Sequence, residues 1–180
     1  QATGLGPLRE RISDWYASRF GVQVPARRIV ITAGASAALH LACMALIEAG
    51  DEILMPDPSY PCNRHFVSAA EGKAVLIPST AAERFHLSAN KVQAAWGERT
   101  RGVLLASPSN PTGTALSPKE MDELAGYCAA RGISMVVDEI YQELVYDREP
   151  STVFTLPAAT NGDLDLLVIN SFSKYFSMTG

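Results

Sequence analysis

A chain of 180 residues, 47% of them hydrophobic, is long enough to bury roughly two-thirds of its unfolded surface within one domain. Its formal net charge of −4 and lack of a basic cluster argue against nucleic acid or an anionic membrane as a partner. No apolar run is long enough to cross a membrane. Cys43, Cys62 and Cys128 are odd in number and lack metal-type spacing, so they read as reduced thiols of a cytoplasmic protein with no metal site.

Pro7 opens a helical pattern that places Leu8, Ile12, Trp15, Tyr16 and Phe20 on one face, and Gly21 stops it. Residues 28–32 read as a strand, followed by the small-residue turn Ala33-Gly34-Ala35-Ser36 and a helix over 37–49 closed by Gly50. A strand, a tight turn and a helix start form a ready anion site, because free amides point outward there. The next strand, 52–55, runs into a loop stiffened by Pro56, Pro58 and Pro61, which holds Tyr60 where it can stack on a planar ligand. A helix over 63–70, a strand over 74–78 and a short helix capped by Ser88 follow. Strand 102–106 ends in Ser107-Pro-Ser-Asn110-Pro-Thr-Gly113. The helix after it carries Ser117 as N-cap, Pro118 at the first position, Glu120 to complete a capping box and a Leu116–Met121 staple. Strand 133–137 delivers Asp138 and Tyr141, and an irregular stretch over 147–163 leads to the apolar strand Leu166–Ile169. Asn170 and Ser171 then turn polar, and Lys174 follows. His40, His65 and His86 are scattered and read as structural or surface residues.

Alternating strands and helices predict an α/β domain, three layers deep, on a mostly parallel sheet. In such sheets ligands bind at the carboxyl ends of the strands, and Gly34–Ser36, Tyr60, Asn110, Asp138 and Lys174 each lie just past a strand. Together they suit a phosphorylated pyridine aldehyde. A lysine whose amine is desolvated becomes nucleophilic and forms a Schiff base with the aldehyde carbon. Asp138 keeps the ring nitrogen protonated, which makes the ring an electron sink. Gly34, Ala35, Ser36, Ser171 and Ser173 surround a phosphate dianion with amides and hydroxyls. Asn110 and Tyr141 hydrogen-bond the phenolic oxygen, and Tyr60 stacks on the ring.

The stretches Thr32-Ala-Gly34-Ala-Ser36, Asp57-Pro-Ser-Tyr60-Pro, Ser109-Asn-Pro-Thr-Gly113, Val137-Asp-Glu-Ile-Tyr141 and Ser171-Phe-Ser-Lys174 occur in one order across essentially the whole chain. In that order and spacing the sequence resembles the class I/II aminotransferases, enzymes of pyridoxal 5'-phosphate fold type I. The resemblance implies that Lys174 forms the internal aldimine and shuttles the proton, and that Asp138 pairs with the pyridinium. It further implies that Asn110 and Tyr141 bind the phenolic oxygen, and that an amino acid and a 2-oxo acid are the substrates.

By the same resemblance, residues 1–27 are an N-terminal helical segment and residues 28–180 most of the cofactor-binding large domain. The phosphate-binding arginine after Gly180 and a small C-terminal domain would lie outside this chain, which reads as a piece of a longer protein, a homodimer when whole. A strand lying between 28–32 and 166–169 would also be missing, so those two segments are not expected to pair with each other. A β-lyase or synthase of the same fold, or the aminotransferase-like effector domain of a transcription regulator, are the alternatives. Asn110–Gly113 and Asp138–Tyr141 keep the enzyme-like form.

Overall fold

The structure is a computed structural model that describes residues 1–179. Helix α1 (Gly6–Phe20) carries Pro7 in its first turn and ends at Gly21, whose left-handed φ of 67° lets its N–H reach Ala17 O. Extended backbone follows the 3-10 turn Ala26–Arg28 and runs into α2 (Gly34–Leu46), which begins three residues earlier than the sequence implies and stops short of Gly50. Strand β1 (Glu52–Asp57), helix α3 (Cys62–Ala69) and strand β2 (Lys73–Pro78) come next. Helix α4 (Ala89–Ala95), strand β3 (Thr100–Ala106), helix α5 (Pro118–Arg131) and strand β4 (Ser134–Asp138) follow. The 147–163 connection contains a 3-10 turn, Val153–Thr155, and the single-turn α6 (Pro157–Thr160) before strand β5 (Leu166–Ile169).

All five strands are parallel, in the order β2-β1-β3-β4-β5. Parallel strands need crossover helices, and these cover both faces. Alternation along each strand divides the core. Leu54, Val103, Leu105, Met135 and Val137 face α4 and α5, meeting Val92, Met121, Leu124 and Cys128. Ile53, Met55, Leu104, Val136 and Ile169 face α2 and α3, meeting Leu39, Cys43 and Val67. Most of these side chains are fully buried, each worth about 1.5–3 kcal/mol of transfer free energy. Gly102 permits the closest strand contact, since a Cβ there would lie 2.7 Å from Ser134 O.

Helix α5 is held at its start by the expected capping box. Ser117 Oγ accepts from Glu120 N–H at 3.2 Å, and Glu120 Oε2 accepts from Ser117 N–H at 2.7 Å. Leu116 and Met121 are both buried beside it. Glu120 also meets the buried His86 at 3.2 Å, whereas His40 and His65 are exposed. Burial opposes ionisation of Glu120, but its bonds from Ser117 and His86 prevail and hold the carboxyl down at about 2. Cys43 and Cys128 are free and buried, and burial pushes their thiols up to about 11 and about 12. Among the described residues no helix is long and apolar enough to cross a membrane.

One expected element is absent. Residues 28–32 form no strand: Arg28 closes the 3-10 turn, and Ile31 N–H bonds to Thr3 O at 3.1 Å instead of joining the sheet. A strand requires a neighbour along its length. The nearest candidate, the outer edge of β5, lies across a cleft of about 1900 Å³ lined by Ile29–Thr32 on one wall and Leu166–Ile169 on the other. The two segments are not paired, as expected, but only β5 belongs to the sheet.

Candidate active site

The cleft continues over the carboxyl ends of β3, β4 and β5 and the start of α2. It is lined by Gly34, Ala35, Ser36, Tyr60, Asn110, Asp138, Tyr141, Ser171, Ser173 and Lys174, so the fold brings together every residue that the sequence points to. Asp138 is its buried floor, 7% exposed. The Asp138 Oδ1 accepts from Ile140 N–H at 3.0 Å, and among the described residues Oδ2 has no hydrogen-bond partner. Burial pushes the carboxyl up to about 6, partly opposed by the Ile140 N–H. Its backbone is tied on both sides, since Asp138 O accepts from Ser107 N–H at 3.1 Å and Glu139 N–H donates to Ile169 O at 2.8 Å.

The other residues approach from loops around that floor. Gly34 takes a φ of 82° at the first position of α2 and gives its N–H to Thr32 O at 2.8 Å, and no side chain caps the amides that follow, at the edge of the cleft. Asn110 sits in a tight turn closed by Ser109 N–H to Thr114 O and Gly113 N–H to Ser109 O, both 2.8 Å. Tyr60 has its phenol held above the ordinary range chiefly by the neighbouring Cys62, with Ser36 acting the other way. Ser171 Oγ and Ser173 Oγ are 2.9 Å apart, and Ser171 Oγ accepts from Ser173 N–H at 3.2 Å. Tyr141 faces Lys174, whose Nζ lies 5.9 Å from the ring centroid.

Lys174 departs from expectation in one respect: its side chain is exposed and not desolvated. It lies on a turn in which Ser177 N–H bonds to Lys174 O and Met178 N–H to Phe172 O, both at 3.0 Å. Tyr175, Phe176 and Met178 on that turn are themselves exposed and do not cover the amine.

Sequence reasoning misses a buried polar group behind the floor. Glu139, 2% exposed, accepts from Val153 N–H, Thr152 Oγ1 and Gln142 Nε2 at 2.8–2.9 Å. Burial outweighs those donors and pushes its carboxyl up to about 8. Gln142 Oε1 accepts from Asn170 Nδ2 at 3.2 Å, and the same Nδ2 reaches Tyr16 OH at 3.3 Å. Burial is the main cause that raises the Tyr16 phenol, with Glu139 adding to it. The one available signal is an acidic residue directly after Asp138, where a strand has just ended and no cation stands nearby in sequence. Helix α1 closes this side. Trp15 packs edge-on to Phe176 at 6.0 Å, Tyr16 to Phe154 at 5.5 Å, and Arg19 pairs with Glu143 at 2.9 Å.

Comparison with known proteins finds relatives along nearly the whole chain. The chain is 39% identical over 179 residues to valine–pyruvate aminotransferase of Mycobacterium tuberculosis, covering 99% of this chain and 45% of that protein. It is 34% identical to the arginine–pyruvate transaminase AruH of Pseudomonas aeruginosa, covering 98% of this chain and 44% of the relative. Among solved structures, an aminotransferase from Mycobacterium tuberculosis superposes with a TM-score of 0.89 at 39% identity, over 99% of this chain and 45% of that one. The aspartate aminotransferase of Rhizobium meliloti gives 0.91 at 34% identity, over 99% and 45%. The chain thus spans somewhat less than half the length of these relatives. The family described as aminotransferase class I and II matches residues 1–180, and the chain belongs to that family.

Proposed function

We propose that the protein is an aminotransferase that binds pyridoxal 5'-phosphate on Lys174 and exchanges an amino group between an amino acid and a 2-oxo acid. The observation that carries this reading is the convergence of Lys174, the buried Asp138 and the uncapped start of α2 on one cleft. The residues fit the group. A buried carboxylate with an unengaged oxygen suits a cationic ring N–H, and open helix-start amides beside Ser36, Ser171 and Ser173 suit a phosphate dianion.

When bound, the cofactor supplies an electron sink for charge that develops at the substrate's α-carbon. Asp138, once ionised, holds a proton on the ring nitrogen, and a cation beside it returns its pKa toward the ordinary carboxylate range. Asn110 and Tyr141 offer hydrogen-bond donors to the cleft, Tyr60 offers a flat face, and Lys174 carries the amine that binds the cofactor and moves the substrate proton. In this reading residues 28–180 are the main part of a cofactor-binding domain, residues 1–27 pack over its lysine turn, and the whole protein is a cytoplasmic homodimer.

The test is borohydride reduction of the full-length protein loaded with pyridoxal 5'-phosphate, followed by peptide mapping. Label on Lys174, and none after Lys174→Ala, supports the reading. Label on another lysine defeats it. The Lys174→Ala variant should also lose on the order of a thousandfold or more in turnover, because it lacks the proton-transfer group.

A further inference from the structure

Between the ends of β4 and β5 runs a chain of hydrogen bonds whose inner members, Glu139, Gln142 and Asn170, have no role in the proposed reaction. Glu139 anchors it through the three donors of Val153, Thr152 and Gln142. Gln142 Nε2 also donates to Ser151 O at 2.9 Å, which engages both of its N–H groups and leaves Oε1 to accept from Asn170 Nδ2 at 3.2 Å. Asn170 Oδ1 then accepts from Ser171 N–H at 2.8 Å, and Ser171 Oγ accepts from Ser173 N–H at 3.2 Å, one residue before Lys174. The direction of this chain is determined. Rotating the Gln142 amide would set its oxygen against the Ser151 carbonyl and its NH₂ against that of Asn170, losing both contacts.

Gln142 is only 3% exposed, so its bonds form away from water, where an unsatisfied partner is costly. The turn it reaches is the opposite case: Lys174, Tyr175, Phe176 and Met178 are all exposed. We propose that Gln142 and Asn170 are positioning residues that lock the exposed Lys174 turn to the buried strand end bearing Asp138. The proposal rests on the reading of Lys174 as the cofactor lysine, but its mechanical content can be measured without the cofactor. Tyr16, which receives the second Asn170 bond, couples α1 to the same lock.

The experiment uses Gln142→Leu in the full-length protein, a change that keeps volume but removes the donors and the acceptor. In the cofactor-free protein, hydrogen exchange of amides in residues 171–178 should quicken about tenfold, while strands β3 and β4 keep their protection. In the loaded enzyme, kcat should fall about tenfold with KM changed less than about twofold, because substrate still binds but the amine is less well placed. Unchanged exchange over 171–178 overturns the proposal. If exchange rises everywhere because the variant is globally destabilised, Asn170→Ala, at a half-buried position, replaces it with the same two outcomes. Mapping of the cofactor to a lysine other than Lys174 would defeat the functional reading, while the exchange result would still decide the lock.

Discussion

The ends of β4 and β5 are built alike and finished differently. Each is a parallel strand that leaves an apolar run for a polar turn, and each delivers one ionisable group to the same cleft. At β4 the group, Asp138, is buried, and the turn behind it is filled by Glu139 and Gln142 with their hydrogen bonds made inside the protein. At β5 the group, Lys174, stands on an exposed turn, and β5 itself is an edge strand paired only with β4. The contrast follows from neighbours: β4 lies between β3 and β5, whereas the outer side of β5 faces the cleft. A carboxylate that must act by charge gains from a dry, fixed position, where its field is weakly screened. In the proposed reaction, a lysine that binds one partner, releases it and moves a proton needs room to swing.

Among changes that leave Lys174 in place, the largest effect should come from attacking the fixed end. Asp138→Ala and Asp138→Asn should both leave borohydride attachment of the cofactor to Lys174 in place in the full-length enzyme. Turnover should drop on the order of a hundredfold or more, the usual cost of a lost electrostatic partner. The Asn variant keeps an acceptor for the Ile140 N–H, so equal losses in the two would assign the effect to charge. Near-normal turnover in either variant would mean that Asp138 is only a structural residue at the end of a strand.

What is legible in the sequence divides along the same contrast. The ends of β1, β3, β4 and β5 declare themselves, because a buried parallel strand is an apolar run and its first polar residue marks the edge of the sheet. The α5 start is legible for a similar reason, since its capping box is local to Ser117 and Glu120. Residues 28–32 mislead because Ile29, Val30 and Ile31 are β-branched, and that preference for extended backbone is honoured without a ladder. The lock behind the site cannot be read from local pattern. Its members, Tyr16, Glu139, Gln142, Thr152 and Asn170, come from distant parts of the chain with no shared period. The exposure of Lys174 is also not legible, because it depends on which segments cover the turn.

A middle-sized effect should appear as pH dependence. Asp138 and Glu139 both have raised carboxyls, at about 6 and about 8, so these two groups hold more protons in the folded protein than in the unfolded chain. Their contribution to stability therefore falls as pH rises from about 4 toward about 8, whereas the lowered carboxyls of Glu83 and Glu120 add stability as pH rises to about 5. Glu139→Gln removes one of the two groups. Its one acceptor oxygen can keep the Gln142 and Thr152 donors that share Oε2, but its NH₂ would face the Val153 N–H. Some stability is therefore lost at every pH, but the decline should flatten. The gap between wild type and variant should narrow by a few kcal/mol between pH 5 and 9, read from urea midpoints. Parallel curves would show that the three donors keep Glu139 ionised at ordinary pH, and that the buried end is less strained than its burial implies.

The smallest effect comes from a helix cap outside the cleft and serves to separate stability from site geometry. Ser117→Ala deletes the side chain that accepts the Glu120 N–H at the start of α5, while the reciprocal bond from Ser117 N–H to Glu120 Oε2 remains possible. Helix α5 packs Met121, Leu124, Ala125 and Cys128 onto the face of the sheet formed by Val103, Leu105, Met135 and Val137. Fraying its first turn loosens Met121 but leaves Leu124 and Cys128 seated, one and two turns further along. The loss should be about 1 kcal/mol, the usual cost of removing a serine cap. Asp138 lies at the carboxyl end of β4, on the same side of the sheet as the start of α5, but its side-chain hydrogen bond to Ile140 does not involve the helix. Attachment of cofactor to Lys174, kcat and exchange over residues 171–178 should therefore match the parent protein even as the denaturation midpoint drops. A fall in kcat as large as that expected for Gln142→Leu would mean that general loosening of the domain, with no dedicated lock, is enough to misplace the lysine.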